Sequence, residues 1–597
     1  MAKLQEKKYF KIIYALLLNA VIMAFFLIVI PLHYEMPDDY VFSNLITDGS
    51  YNFNFMSPVM ASLMGLLQRV IYPVNAYVVV CLLTAFFACT AITRVFIDKF
   101  NPFVAFCFTI VLNGFLGINH YGTIAYTRMA ALMSVAGFLC IVHYSKREKW
   151  KLGSIIGIVL ILFGSIFRFA IFEVSVAAAG FFVIGKSITD YYCKNKEDRK
   201  PVDFFKILFE PKRFILAMVA VVLCFAVSYG ASFVIRSDSS VDYFIKYTAA
   251  RSNVYDYMLP EYEENKEAYE RINVDDNDLL MLRQLYMDDE GAFTYDQLKA
   301  IGKVRDTVNS NESSMLENLK LMVICEVGNI RAVWKNGTVD IRNFGIMAGN
   351  KGILYFFVGT LLLLFLLSMK KRNYFIPLML SIITLALYIY LWRDLKVPFR
   401  AVYPLWISFA VYLMYSFSGS EVRDYIRNSP AENHSKTVVV FALIASILFS
   451  GAGVYLSTLY NQYIDYYKEL DDSQIVLRGY IADNKDKKFE LSKSSSYGPL
   501  ADSIWVTQKT DYNKNYIGFA GTYYRLPKND YETERFGTDN MFTNLFNDDV
   551  FFIVKSDDSH ADMMKKYLQK YYSNGKTVEY TIVDTVDKYQ ICKYELR

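Results

Sequence analysis

The sequence predicts an α-helical polytopic membrane protein of about eleven spans, with an extracytoplasmic helical insertion and a small α/β domain at its C-terminal end. Three observations predict it. Mean hydropathy is positive, +0.22, and 54% of the 597 residues are hydrophobic and 16% aromatic, which excludes a disordered chain and a purely soluble enzyme. Apolar runs of the length needed to cross a hydrocarbon core of about 30 Å recur along the chain. Two long polar blocks then interrupt or follow those runs, one patterned as helices and one as short strands with a helix.

The runs fall at 12–32, 74–96, 103–118, 129–144, 152–167, 172–185, 214–235, 353–369, 374–392, 401–417 and 437–456. Those at 129–144 and 172–185 are short enough to be re-entrant. Lys7, Lys8 and Lys11 precede the first run, and the clusters at 146–149, 194–213, 370–372 and 423–436 fall on the same side once the spans alternate. Lysine and arginine gather on the cytoplasmic side, so the expected placement is a cell membrane with the N-terminus cytoplasmic and the C-terminus extracytoplasmic. The first run lacks a small-residue cleavage pattern and reads as a retained helix. The expected units are an N-terminal transmembrane module at 1–235 containing a first outer loop at 33–72, an extracytoplasmic insertion at 236–350, a second transmembrane module at 351–457 and an α/β domain at 458–597. In the last of these, strand-forming runs at 503–507, 550–555, 578–583 and 589–594 alternate with a helical pattern at 561–572, and an amphipathic helix is expected at 457–470.

Several function classes drop out. A net charge of +4 from 63 basic and 59 acidic residues gives no bulk electrostatic case for nucleic acid. Cys81, Cys89, Cys107, Cys140 and Cys224 sit inside apolar runs, and of the other three, Cys193, Cys325 and Cys592, only Cys325 and Cys592 fall on the expected extracytoplasmic side, which makes no disulfide framework. There is no C-x-x-C, no H-x-x-x-H and no glycine-rich phosphate loop. Ionisable residues within the runs are few, and Arg94, His143, Arg168 and Glu173 lie near their ends, which disfavours an ion-coupled transporter with a midplane site.

The outer boundary is where chemistry-bearing residues gather. After the first span the chain reads His33-Tyr34-Glu35-Met36-Pro37-Asp38-Asp39-Tyr40. Pro37 and Asp38 mark a helix entrance, Val41, Phe42, Leu45 and Ile46 share one face, and Gly49 stops the helix. Carboxylates at the positive end of a helix stay ionised, which suits a general base or a ligand for Mg or Mn. The competing local role makes Asp38 a cap and Asp39 a solvated first-turn acid, together contributing about 1 kcal/mol. Three further outer loops carry His120 with Arg128, Arg168 with Glu173, and Arg393 with Arg400. Arginines at a membrane surface grip phosphate through paired donors, or else snorkel to lipid headgroups. The amphipathic stretch 57–71 is expected to lie in the interface beside them, and Asp275 to Asp278 reads as a solvated acidic face.

An acidic first outer loop directly after the first span, many spans, a cytoplasmic N-terminus and a soluble extracytoplasmic tail together resemble the GT-C superfamily of polytopic glycosyltransferases, in particular the GT-C-like proteins of bacterial surface-polysaccharide loci. Asp38-Asp39-Tyr40, Asp48-Gly49-Ser50-Tyr51, the stretch 119–131 (NHYGTIAYTRMAA) and Ile166-Phe167-Arg168-Phe169 are similar to phrases of that group. The resemblance implies transfer of a sugar from a polyprenyl-phosphate donor to an extracytoplasmic glycan or polymer acceptor, in surface-polysaccharide or teichoic-acid-type glycosylation, with membrane lipid as a further partner and no nucleic acid. It assigns Asp38 and Asp39 to catalysis, Glu35 to their support, and Arg168, Arg393 and Arg400 to phosphate. The family's acids are often spaced D-x-D or E-x-D, whereas here they are adjacent, which leaves open which aspartate is the base. Two rival readings remain: a non-catalytic flippase, export component or scaffold, and a polysaccharide polymerase or ligase.

Overall fold

The computed structural model describes most of residues 8–312, then 375–392, 399–417, 472–492, 504–507, 515–518 and 540–597, with short interruptions and a few isolated positions. Its first half is a helical bundle. Helix α1 (Lys8–Val29) leads into a two-residue strand β1 (His33–Tyr34), then α2 (Pro37–Thr47) and α3 (Pro58–Ile71). The long α4 (Ala76–Lys99) is followed by α5 (Pro102–Leu116), a single π turn (Ile118–Gly122) and strand β2 (Thr123–Ile124). Helices α6 (Tyr126–Tyr144), α7 (Trp150–Phe167), α8 (Phe169–Tyr192), α9 (Pro201–Leu208) and α10 (Pro211–Arg236) complete this half.

Helix α6 is the axis of the bundle. Every residue from Tyr126 to His143 is buried, packed by α4, α7, α8 and by α16 (Phe399–Ser416), which follows α15 (Phe375–Trp392). A helix that is apolar all round has to be enclosed by other helices or by lipid. Helices α6 and α7 approach closely enough that a Cβ on Gly157 would stand 2.8 Å from the Gly137 carbonyl, and one on Gly137 would stand 2.6 Å from the Gly157 carbonyl. Small residues that let backbones touch are the usual device of membrane helix packing. Phe182 of α8 stacks on Tyr412 of α16 at 4.7 Å, holding α16 against the same axis.

Among the described residues, five helices are long and apolar enough to cross a membrane: Tyr9–Val29, Ala76–Lys99, Tyr126–Tyr144, Phe169–Tyr192 and Pro211–Arg236. The runs at 129–144 and 172–185, read from sequence as short, belong to helices that extend beyond them, α6 by a polar first turn buried inside the bundle and α8 mainly by the C-terminal residues 186–192. The runs at 103–118, 152–167, 374–392 and 401–417 correspond to shorter apolar helices. Those at 353–369 and 437–456, and the helix expected at 457–470, lie outside the described residues.

The polar segments fold together. The insertion contributes α11 (Ser239–Tyr255), α12 (Lys266–Glu270), α13 (Asp276–Arg283) and α14 (Tyr295–Glu312). The tail supplies strands β3 (Lys488–Leu491), β4 (Tyr516–Gly518), β5 (Val550–Lys555), β6 (Val578–Val586) and β7 (Tyr589–Leu596), with α17 (Met541–Asn544) and α18 (His560–Tyr571). They form one mixed sheet in the order β4-β3-β5-β7-β6, parallel across β4, β3 and β5 and antiparallel beyond. Strand periodicity gives it two apolar faces. Phe489, Ile553 and Ile591 face the helix at 472–483. Phe552, Val554, Cys592 and Tyr594 face α18, and beyond it Leu279, Leu282, Phe293 and Leu298 of the insertion join the same core.

Insertion and tail, read from sequence as separate units at 236–350 and 458–597, therefore share a hydrophobic core. The acidic cluster is also different from its sequence reading. Asp275 caps α13 in a reciprocal box with Asp278, and Asp278 is buried. Residues 503–507 were expected to be a strand. Of these, Ile504 and Trp505 form a turn and Val506 makes a single antiparallel bridge to Val74.

Candidate functional site

The candidate site lies at the end of the bundle where three loops meet. Strand β1 pairs in parallel with β2, His33 beside Thr123 and Tyr34 beside Ile124, and His33 Nε2 lies 3.1 Å from Thr123 Oγ1. The turn between α7 and α8 closes the third side, where the Ser57 amide donates to the Ile166 carbonyl at 3.2 Å.

Helix α2 begins at Pro37, a residue suited to the first helical turn because its missing N–H has no helical partner there. Phe42, Leu45 and Ile46 turn into the core, and Gly49 ends the segment at φ +87°, a conformation open to glycine. The same burial carries Asp39 inward. The residue is 2% exposed, and its Oδ1 accepts from the Tyr77 hydroxyl at 2.5 Å and from the Tyr126 amide at 3.2 Å. Tyr126 is the first residue of α6, so Asp39 supplies from another helix the acceptor that α6's N-terminus otherwise lacks. The competing local role of a solvated first-turn acid does not hold for Asp39. Asp39 is a buried carboxylate held by hydrogen bonds and a helix dipole.

Arg168 extends this cluster. It is half-buried, and its guanidinium donates to the Tyr126 hydroxyl at 2.9 Å and to Thr127 Oγ1 at 3.0 Å while lying over the Tyr126 ring. Tyr126 thus stands between the acid and the arginine, its backbone on one and its hydroxyl on the other.

His120 and Arg128 were expected at the surface and are instead inside the bundle. His120 is fully buried, with Nε2 3.0 Å from Asn113 Oδ1 and Nδ1 3.5 Å from the Tyr403 hydroxyl. Arg128 is buried, and one of its terminal nitrogens donates to both the backbone and side-chain oxygens of Asn119 at 3.0 and 3.1 Å. The π turn and the first turn of α6 place these groups beside Tyr403 of α16, and internal partners substitute for water. Glu35 and Arg393 lie outside the described residues. Asp38 and Arg400 have described backbone in the first turns of α2 and α16, and their side chains lie outside the description.

Sequence reasoning missed Asn75. Its Oδ1 accepts from the Val78 amide, capping α4, and from the Ser43 hydroxyl at 3.1 Å. Its Nδ2 donates to Tyr34 Oη at 2.8 Å and to the Ile504 carbonyl at 2.9 Å. An asparagine just before a long apolar run is an N-cap signal, and here the cap also joins β1, α2 and the tail. Gln68 adds a second clasp, donating to the Val74 carbonyl and accepting from the Ala76 amide.

The described residues do not assemble a cation site, since no group of three or more His, Cys, Asp or Glu side chains converges among them. What the arrangement offers is the Asp39 side chain buried on a fixed helix, a guanidinium bridged to it by one tyrosine, and an apolar bundle beneath.

No family model matches the chain, and no curated protein sequence matches it. Among solved structures it is similar to the Archaeoglobus fulgidus oligosaccharyltransferase in its apo form, at 12% identity and a TM-score of 0.41, over 94% of this chain and 71% of that one.

Proposed function

We propose that this chain is a GT-C-type membrane glycosyltransferase that moves a sugar from a polyprenyl-phosphate carrier to a glycan or polymer acceptor on the outer face, in surface-polysaccharide or teichoic-acid-type glycosylation. The observation that carries the reading is the acidic helix α2 fixed against the N-terminus of α6, with Arg168 one tyrosine away, at one end of an apolar bundle. The two aspartates divide the work. Asp39 is committed to α6 and Tyr77, which leaves Asp38 as the base. It takes the proton of an acceptor hydroxyl, the oxygen attacks the anomeric carbon, and the bond to the carrier phosphate breaks with its electron pair leaving on the phosphate. The configuration inverts. Arg168, Arg393 and Arg400 are the cations assigned to that phosphate.

The experiment is sugar transfer from a polyprenyl-phosphate donor by the purified protein in vesicles. Asp38→Asn removes the base, and the expected loss is about 10²-fold to 10⁴-fold in rate with the fold intact. Unchanged transfer by a folded Asp38→Asn protein refutes the assignment. One observation favours the second reading, a non-catalytic export component or scaffold: Asp39 is engaged as an internal cap. That reading predicts no transfer by the wild-type protein with any lipid-phosphate sugar, and unaltered partner binding in Asp38→Asn.

A further inference from the structure

The tail returns to the bundle at 504–507, beside the candidate site. The Asn75 amide donates to the Trp505 carbonyl and the Thr507 amide to the Pro73 carbonyl, both at 2.9 Å. Val506 bridges Val74, and the hydroxyls of Thr507 and Thr47 meet at 2.6 Å. Backbone hydrogen bonds tie this joint, yet its side chains are turned outward: Tyr72, Val74, Trp505 and Val506 are all exposed. Helix α3 continues the patch. Met60, Met64 and Gln68 form its buried face, while Leu63, Leu66 and Val70 form an outward stripe, with Val70 81% exposed. A helix apolar on both faces needs an apolar neighbour on each.

We propose that this patch is sunk in the lipid leaflet at the site end of the bundle, so that Trp505 and Val506 are a direct lipid contact of the insertion–tail unit. Continuity identifies lipid as the occupant. Val74 lies just before α4, one of the helices long and apolar enough to cross a membrane, and the outward Leu83 and Phe87 carry the apolar surface along that helix. Arg69 is the one charged residue between Ser57 and Asn75 and is exposed beside Val70, where a headgroup phosphate would meet it. Tryptophan favours this depth, its ring in the acyl boundary and its N–H at the headgroups. The inference rests on the membrane-spanning part of the proposed function and is independent of sugar transfer.

The test uses the full chain in phosphatidylcholine vesicles whose acyl chains carry bromine. The Trp505 signal is the difference between wild type and Trp505→Phe, and the other four tryptophans are the control. The expected result is loss of Trp505 emission with bromines placed high on the chains, a smaller loss with bromines near the chain ends, and little quenching by aqueous acrylamide. Trp505 emission that acrylamide quenches and bromine leaves intact, with the control tryptophans quenched by bromine, overturns the proposal and spares the membrane reading. Bromine quenching of none of them removes both. Val70→Cys carrying an environment-sensitive fluorophore gives a reading without Trp505→Phe. A blue shift in vesicles supports the proposal, whereas an unshifted emission, or a disulfide between Val70→Cys copies, overturns it.

Discussion

Asp39 shows how burial changes the part a residue plays. In sequence it is the second of two adjacent acids at a helix start, and in the fold it is the acceptor that α6 lacks. Asp39→Asn keeps the shape and removes the charge. The expected cost is about 1.5 to 3 kcal/mol, the range for a hydrogen bond to a charged group, read as a lower unfolding temperature in detergent, whereas the exposed-cap reading expects about 1 kcal/mol or less. Tyr77 was invisible to sequence reasoning because its hydroxyl reaches Asp39 only after α4 packs on α2, and the Tyr126 amide was invisible because any residue supplies one. Asn75 was legible as a cap, and its contact with Ile504 was not, since 429 residues separate them.

At the scale of the element, long apolar runs announced the helices and misplaced their ends. Tyr126, Thr127 and Arg128 look like loop, yet they are the first turn of α6, because Asp39, Arg168 and Asn119 satisfy their polar groups inside the protein. Glycines on α7 were unremarkable in sequence and became the contact surface. Gly157→Leu drives a side chain into the Gly137 carbonyl and Cys140, and the expected outcome is separation of α6 from α7, a loss of about 2 kcal/mol or more. A disulfide engineered across the α6–α7 contact checks it by forming in the parent and failing in the variant. The two-residue strands β1 and β2 and the π turn lay below anything that periodicity reveals.

For the whole molecule, the insertion and the tail are a single body that meets the bundle both through α11, which continues from α10, and through 504–507. Their joint is polar as well as apolar. Lys570 of α18 pairs with Asp275 at 2.8 Å and with the buried Asp278 at 2.6 Å, and Asp288 accepts from Tyr567 and Tyr572. Burial pushes the Asp278 carboxyl above the ordinary carboxylate range, and the hydrogen bond from Lys570 only partly offsets it. A carboxyl whose pKa is raised by folding holds its proton more tightly in the fold, so through Asp278 acidification favours the folded state, while Asp275, whose burial is outweighed by the hydrogen bond from Lys570 so that its pKa is lowered, acts in the opposite sense. Lys570→Met leaves Asp278 without its cation, and the expected loss is up to about 3 kcal/mol at neutral pH, shrinking as the pH is lowered into the acidic range and Asp278 takes up a proton. Thermal unfolding of wild type and variant across that range checks both magnitude and sign. Periodicity carries no record of which distant segments share a core, so this joint could not be read from the sequence.

The short ribbon of His33–Tyr34 and Thr123–Ile124 has a bearing on topography. Its strands run in the same sense, one leaving α1 and the other leaving α5 through the π turn. Because the strands are paired, the helix ends that deliver them lie at one end of the bundle, and an even number of passes through it between those two points follows from that pairing alone. Parity of this kind needs no count of lysines. Impermeant reagents should reach a cysteine placed near either strand from one and the same face of a sealed vesicle.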